Sequence, residues 1–144
     1  MNVFESVKKK WLEEGLVLLP SENSDSVISC FKKLGATPTE DVIQLYSVLG
    51  GMEDMDGNHF RMWSLDEIIK ENRDSDNPNL LNNGVMFADY LVNCWCYLVA
   101  PLSEKKKSSV LIDYYGSGDK LELRGKTLSG FYELLLEEPD EVLY

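Results

Sequence analysis

The acidic turn Asp54-x-Asp56-x-Asn58 has a spacing of side-chain oxygens that could bind a metal ion. The spacing matches the first ligand positions of a calcium-binding loop, in which a glycine follows the third ligand and a bidentate glutamate closes the loop. Here residue 59 is His and residue 65 is Leu, so both requirements fail. The pattern therefore favours a solvated turn over a calcium site.

The sequence contains no motif that would bring catalytic side chains together. His59 is the only histidine, and no nucleophile or paired carboxylate motif accompanies it. Residues 116–118 (Gly-Ser-Gly) precede a predicted strand rather than a helix, so they lack the amide cradle of a phosphate site. Cys30, Cys94 and Cys96 form neither a disulfide framework nor a zinc shell and are predicted to be buried thiols. We therefore expect a protein without enzymatic activity, cofactor or metal. A small hydrolase or metal enzyme is the alternative, which a stoichiometric bound metal or an activity lost in His59→Ala would support.

Aromatic residues on or beside the predicted strands could stack on bases only if basic side chains were interleaved with them. Their neighbours include Asp66, Asp89 and Asp113 instead. Core packing is expected to explain most of them, and anchoring at a protein interface one or two. The residues are Trp63, Tyr90, Trp95, Tyr97, Tyr114 and Tyr115.

Charge is strongly and unevenly acidic. The formal net charge is −11, from 25 acidic and 14 basic residues. Residues 36–91 carry 11 acids and 3 bases, whereas residues 1–35 are balanced and residues 133–144 hold acids only. Such a field repels nucleic acid and anionic membranes and attracts basic partners, although the same acidity could serve solubility alone.

Length and hydropathy predict one globular domain spanning residues 1–144, monomeric or weakly self-associating. The longest relevant apolar run, residues 16–19, is far too short to cross a bilayer. Lysines 8–10 are separated from that run by Glu13 and Glu14, and no small-residue cleavage site follows. A cytoplasmic protein is expected.

Hydrophobic periodicity predicts two amphipathic helices at the start of the chain. The first covers residues 2–14 and ends at Gly15. The second begins in the polar stretch 21–26, extends to Leu34 and ends at Gly35.

A third helix is predicted with Thr37 as its cap and Pro38 as its first residue, and it ends at Gly50-Gly51. After the acidic turn, alternation over residues 59–63 predicts a strand, and residues 65–71 predict a short capped helix. This stretch links a helical first part of the chain to a sheet.

Four strands are predicted after a polar loop over residues 72–84. Residues 85–88 and 94–99 are apolar runs typical of central strands, and residues 110–115 and 120–124 flank a hairpin turn. A last helix capped by Thr127 is followed by an apolar end, Val142 to Tyr144. This order predicts an α+β fold with a mostly antiparallel sheet flanked by helices.

Four segments resemble the SUKH superfamily, which includes the yeast cell-wall-synthesis regulator and bacterial immunity proteins. The segments are the helix end YSVLGG, the strand-to-helix segment FRMWSLDEI, the strand pair GVMFADYLVNCWCYLV and the closing helix SGFYELLLEEPDEVLY. Thr37 before Pro38 and Leu49 before the glycines depart from the family's usual leucine and asparagine.

The resemblance implies a SUKH-like fold and a cytoplasmic immunity protein that neutralises a secreted polymorphic toxin, often a nuclease, by binding it. The alternative is a regulatory or scaffolding module with a non-toxin partner. The family does not fix the binding residues. Local charge instead suggests six acidic candidates for the contact with a basic toxin domain: Glu53, Asp54, Asp56, Asp74, Asp76 and Asp89.

Overall fold

The computed structural model describes residues 2–74, 83–103, 106–114 and 120–144. These residues form an α+β fold of six helices and a five-stranded antiparallel sheet. The helices are α1 (Val3–Glu13), α2 (Ser24–Lys33), α3 (Glu40–Val48), α4 (Leu65–Asp74), α5 (Leu128–Glu137) and α6 (Asp140–Leu143). The strands are β1 (Phe60–Met62), β2 (Val85–Tyr90), β3 (Trp95–Pro101), β4 (Ser108–Asp113) and β5 (Leu121–Gly125).

The sheet has the order β1-β2-β3-β4-β5, so each strand pairs with its neighbour in the chain. This confirms the predicted antiparallel sheet and the pairing of the last two strands. The predicted turn of that hairpin, residues 116–119, lies outside the described residues. So do Tyr115, residues 75–82 of the predicted loop and Lys105 of the turn before β4.

The core lies where α5 meets the sheet. The Phe131 ring lies 5.7 Å from that of Phe60 and 5.5 Å from that of Tyr97, centroid to centroid. Helix α1 contributes Trp11, whose ring lies 6.1 Å from that of Phe60. Aromatic pairs at these separations add to the stabilisation from burial alone. In the described part of the chain, no helix combines the length and the apolar character needed to cross a membrane.

Side-chain caps set several helix starts. Asn2, Asn23 and Thr127 each accept a backbone N–H in the first turn of α1, α2 and α5. At α4, Ser64 Oγ accepts the Glu67 N–H while Glu67 Oε1 accepts the Ser64 N–H, which is a capping box.

The predicted start of α3 was two residues too early. Thr39, not Thr37, is the N-cap, and the helix begins at Glu40 rather than Pro38. The Thr39 hydroxyl bonds to the Asp41 carboxylate, whose other oxygen accepts the Ser108 N–H at 2.8 Å. The helix start is therefore held against β4, a contact that local capping rules cannot detect.

Asn72 belongs to α4 and not to the loop that the sequence predicts. Its buried amide donates to the carbonyls of Ile68 at 2.7 Å and Met86 at 2.9 Å and accepts the Met86 N–H at 3.0 Å. Both hydrogen-bonding ends of the side chain are thus satisfied, as burial of an amide requires. This side chain attaches the last turn of α4 to β2.

Gly50 and Gly51 both lie in close backbone contacts, and the contact at Gly50 is the closest among the described glycines. A Cβ on Gly50 would lie 1.8 Å from the Pro20 carbonyl oxygen, and one on Gly51 would lie 2.7 Å from the Ser64 nitrogen. Gly51 also has a φ of +120°, which side chains rarely adopt. Only glycine therefore lets the end of α3 lie directly against the connector 16–20 and the start of α4.

Replacing Gly50 with alanine should lower the free energy of unfolding by about 3 kcal/mol or more, because the new methyl group meets the backbone of Leu19 and Pro20. Gly15→Ala is the matched control. Its φ is +81°, but no atom lies within 4 Å of the added Cβ. It should cost only about 1–2 kcal/mol from backbone strain. Urea denaturation of both variants tests this, and equal losses would contradict the close-contact explanation.

Candidate functional site

Of the six predicted acidic binding residues, two are exposed and two are buried in the structure. Glu53 and Asp54 are exposed, and Asp74 is the last residue of α4. Asp56 and Asp89 are buried, with 5% and 1% of their surface exposed. Asp76 lies outside the described residues. Asp56 and Asp89 therefore belong to the interior, so they differ from Glu53 and Asp54 in having almost no surface to offer a partner.

Asp56 anchors the acidic turn to α1. Its carboxylate accepts the Trp11 Nε1–H at 3.0 Å and the backbone N–H groups of Asn58 at 2.8 Å and Phe60 at 3.1 Å. Burial raises the pKa of Asp56, and these three hydrogen bonds oppose part of that shift. A buried carboxylate thus holds this turn in place, whereas the sequence predicts a turn whose side chains are all solvated.

Asp89 makes a similar contact on the other side of the sheet. Its Oδ2 accepts the Trp63 Nε1–H at 2.8 Å and lies 3.4 Å from Arg61, which also bonds to Glu67 at 2.7 Å. Its Oδ1 is buried without a hydrogen-bond partner. Burial raises the pKa of Asp89, and the Trp63 and Arg61 contacts only partly oppose the shift. This carboxylate positions an indole and a guanidinium inside the fold.

A third acid, Glu14, lies at the end of α1 and contacts the turn that carries the exposed acids. Glu14 Oε1 accepts the Gly57 N–H at 3.0 Å, and the Glu53 N–H donates to the Val17 carbonyl at 3.4 Å. Glu14, Glu53 and Asp54 therefore lie at one corner of the molecule, which we name the acidic corner. Val17 projects beside it with 58% of its surface exposed.

A groove of about 630 Å³ opens between α2 and the start of α4. Its acidic side chains are Glu22, Asp25 and Asp66, and Lys33 is the one basic residue among those that line it. Polar and backbone groups of both helix starts and of the Gly50 turn complete its wall: Asn23, Ser26, Ser29, Gly50 and Ser64.

A short backbone pairing joins the groove to the acidic corner. Leu18 and Met52 form an antiparallel bridge, and the Leu19 N–H donates to the Gly51 carbonyl at 2.9 Å. The connector therefore leads from Val17 at the corner to Leu19 and Pro20 at the groove. We name the three acids of the groove and the three of the corner together the acidic face: Glu14, Glu22, Asp25, Glu53, Asp54 and Asp66.

The groove offers poor conditions for nucleophilic chemistry. Cys30 lies in its wall, but burial raises the pKa of that thiol to about 11, and its Sγ donates to the Leu65 carbonyl at 3.5 Å. A reactive cysteine needs the opposite shift, toward the thiolate. Within the described ranges, no three His, Cys, Asp or Glu side chains gather in a way that would hold a metal ion. The arrangement is suited to attracting cations or basic side chains.

The remaining candidates from the sequence divide between core and surface. Trp63, Tyr90 and Tyr97 are buried, which agrees with the predicted core role. Cys30 is buried as expected, but Cys94 is exposed because it lies in the turn before β3 rather than in the strand.

Sequence reasoning missed four acids of the face. Glu14, Glu22, Asp25 and Asp66 lie in segments that are far apart in the chain, and the first three fall in the region of balanced charge. Lysines 8–10 of the same region lie on α1 outside the groove lining, and of Lys32 and Lys33 on α2 only Lys33 lines the groove, so a regional charge count conceals the asymmetry. Comparisons of the chain with protein-family models, with curated proteins and with solved structures found no match.

Asp89→Asn should change how stability depends on pH. Because the folded-state pKa of Asp89 is raised, the folded protein keeps this proton at pH values where the unfolded chain has released it. That contribution is complete below the ordinary aspartate pKa of about 4 and is lost as pH rises through the folded-state pKa. The unfolding free energy of the unmodified protein, measured relative to Asp89→Asn by urea denaturation, should fall as the pH rises above about 4. Parallel pH profiles would contradict this.

Proposed function

We propose that this protein is an immunity protein that binds and neutralises a basic toxin domain, such as a nuclease, through its acidic face. The observation that carries the proposal is the collection of six accessible carboxylates around one groove and one corner, with Lys33 alone opposing them in the groove wall. The groove makes part of this face concave, and Val17 is exposed at the corner beside it, so the face offers both a recess and an apolar side chain to another protein.

The charge of the face gives a physical reason for this partner class. A nuclease must present basic residues to hold phosphates. Clustered carboxylates on an inhibitor accelerate encounter with such a surface and can occupy it in place of the nucleic acid. The same field disfavours nucleic acid and anionic membranes as direct partners.

The resemblance to the SUKH superfamily supports the proposal from a different direction. The YSVLGG segment ends α3 and forms the Gly50-Gly51 contact, and FRMWSLDEI forms β1 and the start of α4. The strand-pair segment forms β2 and β3, and the closing segment forms α5 and α6. A SUKH-like fold with a binding role is the proposal that combines these features with the acidic face.

A regulatory module with a non-toxin partner would use the same kind of surface. The two functions differ in the partner and not in the chemistry of the contact. Identifying the protein bound in the cells that produce this chain therefore distinguishes them.

Capture of partners at low and at high salt, with mass spectrometry of the bound proteins, should recover a basic toxin domain mainly at low salt, because salt screens charge attraction. With that domain purified, Glu53→Lys/Asp54→Lys and Asp25→Lys/Asp66→Lys should each slow association by about tenfold or more and weaken its salt dependence. Stopped-flow fluorescence gives both quantities.

The control is Glu40→Lys/Glu133→Lys, which makes the same change in net charge at exposed positions outside the acidic face. It should change the association rate much less than either pair on the face. Equal effects from all three pairs would show that association depends on the net charge of the protein and not on the acidic face. Recovery of only acidic or housekeeping partners would overturn the toxin assignment.

A further inference from the structure

The turn between β2 and β3 holds an unusual backbone conformation. Leu91, Val92 and Asn93 have φ angles of +48°, +52° and +64°, three consecutive non-glycine residues in the left-handed region. Asparagine tolerates this region, but leucine does so poorly and β-branched valine is a genuine outlier there. A sequence selected for stability alone would favour glycine or asparagine at these positions.

This strained turn exposes apolar side chains. Leu91 is 39% exposed and Val92 is 70% exposed. The turn is nevertheless held at both ends, because the Leu91 N–H donates to the His59 carbonyl at 3.0 Å and the Cys94 N–H to the Tyr90 carbonyl at 3.0 Å. Strain that surrounding structure maintains at an exposed position is typical of functional sites.

An aromatic cluster lies at the base of the turn, where β2 ends and β3 begins. The Tyr90 and Trp95 rings are stacked, with centroids 4.6 Å apart and planes 5° from parallel. Trp95 Nε1 donates to the Leu143 carbonyl at 2.9 Å, and Tyr144, 54% exposed, packs its edge on Tyr90 at 5.6 Å. Leu91 and Val92 follow Tyr90 directly in the chain, and with Tyr144 they form the surface that we name the apolar tip. The stacked rings beside the tip and the hydrogen bonds at both ends of the turn leave its backbone little freedom to lose on binding.

Acidic side chains flank the tip on two sides. The His59 carbonyl bonds to Leu91, while the His59 N–H donates to the Asp56 carbonyl at 2.9 Å, so the turn that carries Glu53 and Asp54 borders the tip. On the other side, Asp140 begins α6, the short helix that ends at Leu143, whose carbonyl bonds to Trp95. Its charge also contributes, after Tyr144, burial and Cys94, to the raised pKa of the Tyr90 hydroxyl. Two copies of the chain meeting at this tip would bring these acids together.

We infer that the apolar tip is an anchor that inserts into an apolar pocket at the edge of the basic surface of a protein partner. The inference rests on the proposed function for the class of partner, and it adds a second contact with a different role. The acids accelerate encounter, whereas the rigid apolar side chains slow dissociation, as buried anchors at interfaces do.

Val92→Asn separates this role from stability. Asparagine relieves the left-handed strain, so thermal unfolding should occur at the same or a higher temperature. The polar side chain removes the anchor, so dissociation of the purified basic partner should become about tenfold faster or more, with the association rate nearly unchanged. Val92→Ile is the matched control, since it stays β-branched and apolar, and its dissociation rate should remain within about twofold of the original.

The partner is obtained with the photo-crosslinker p-benzoylphenylalanine, placed at position 92, 54 or 133 of the full chain in the cells that produce it. A basic protein crosslinked from position 92, and released faster by Val92→Asn, supports the inference. Crosslinking to a second copy, to an acidic protein or to nothing at position 92 overturns it, as does unchanged dissociation of the Val92→Asn variant.

The two proposals fail in different ways in this experiment. Crosslinking from position 54 with slowed association of Glu53→Lys/Asp54→Lys, but no effect at Val92, removes the anchor and keeps the acidic face. Faster dissociation of Val92→Asn, with no effect of Glu53→Lys/Asp54→Lys or Asp25→Lys/Asp66→Lys, removes the acidic face and keeps the anchor. Position 133 reports non-specific crosslinking.

Discussion

The close backbone approach at Gly50 and Gly51 is the constraint on which the rest of the surface depends. Because no side chain separates α3 from Pro20 and Ser64, the connector can pair with Met52 and the start of α4 can lie beside α2. The acidic corner and the groove are then two ends of one surface. A single methyl group added at Gly50 or Gly51 would move these elements apart, since packed interiors have little free volume to absorb it.

Buried aspartates hold the elements that this contact brings together. Asp56 ties the acidic turn to α1 through Trp11, and Asp89 ties β2 to Trp63 and Arg61. Each carboxylate gives up hydration and receives an indole N–H in return, at the cost of a raised pKa. The same residue type therefore serves the interior at two positions and the acidic face at others. Local charge in the sequence cannot distinguish these roles.

The proposed binding surface combines two kinds of contact that act at different stages of association. Long-range attraction by exposed carboxylates depends on their number and position, and it weakens with salt. A rigid apolar projection acts only at contact and depends on shape. The turn that carries Glu53 and Asp54 adjoins the apolar tip at the end of the sheet where β1 starts and β2 ends, because Phe60 pairs with Tyr90 there.

Local sequence patterns determined most of the secondary structure of this protein. Periodicity, the Ser64 and Thr127 caps and the glycine stops predicted the helices and the antiparallel strands, since these signals act within a few residues. Tertiary contacts decided the rest. Thr39 and Asp41 start α3 against β4, and Asn72 extends α4 by bonding to β2. Whether an aspartate is buried, and which distant acids share a face, depends on how elements pack, and that information is not local to any stretch of sequence.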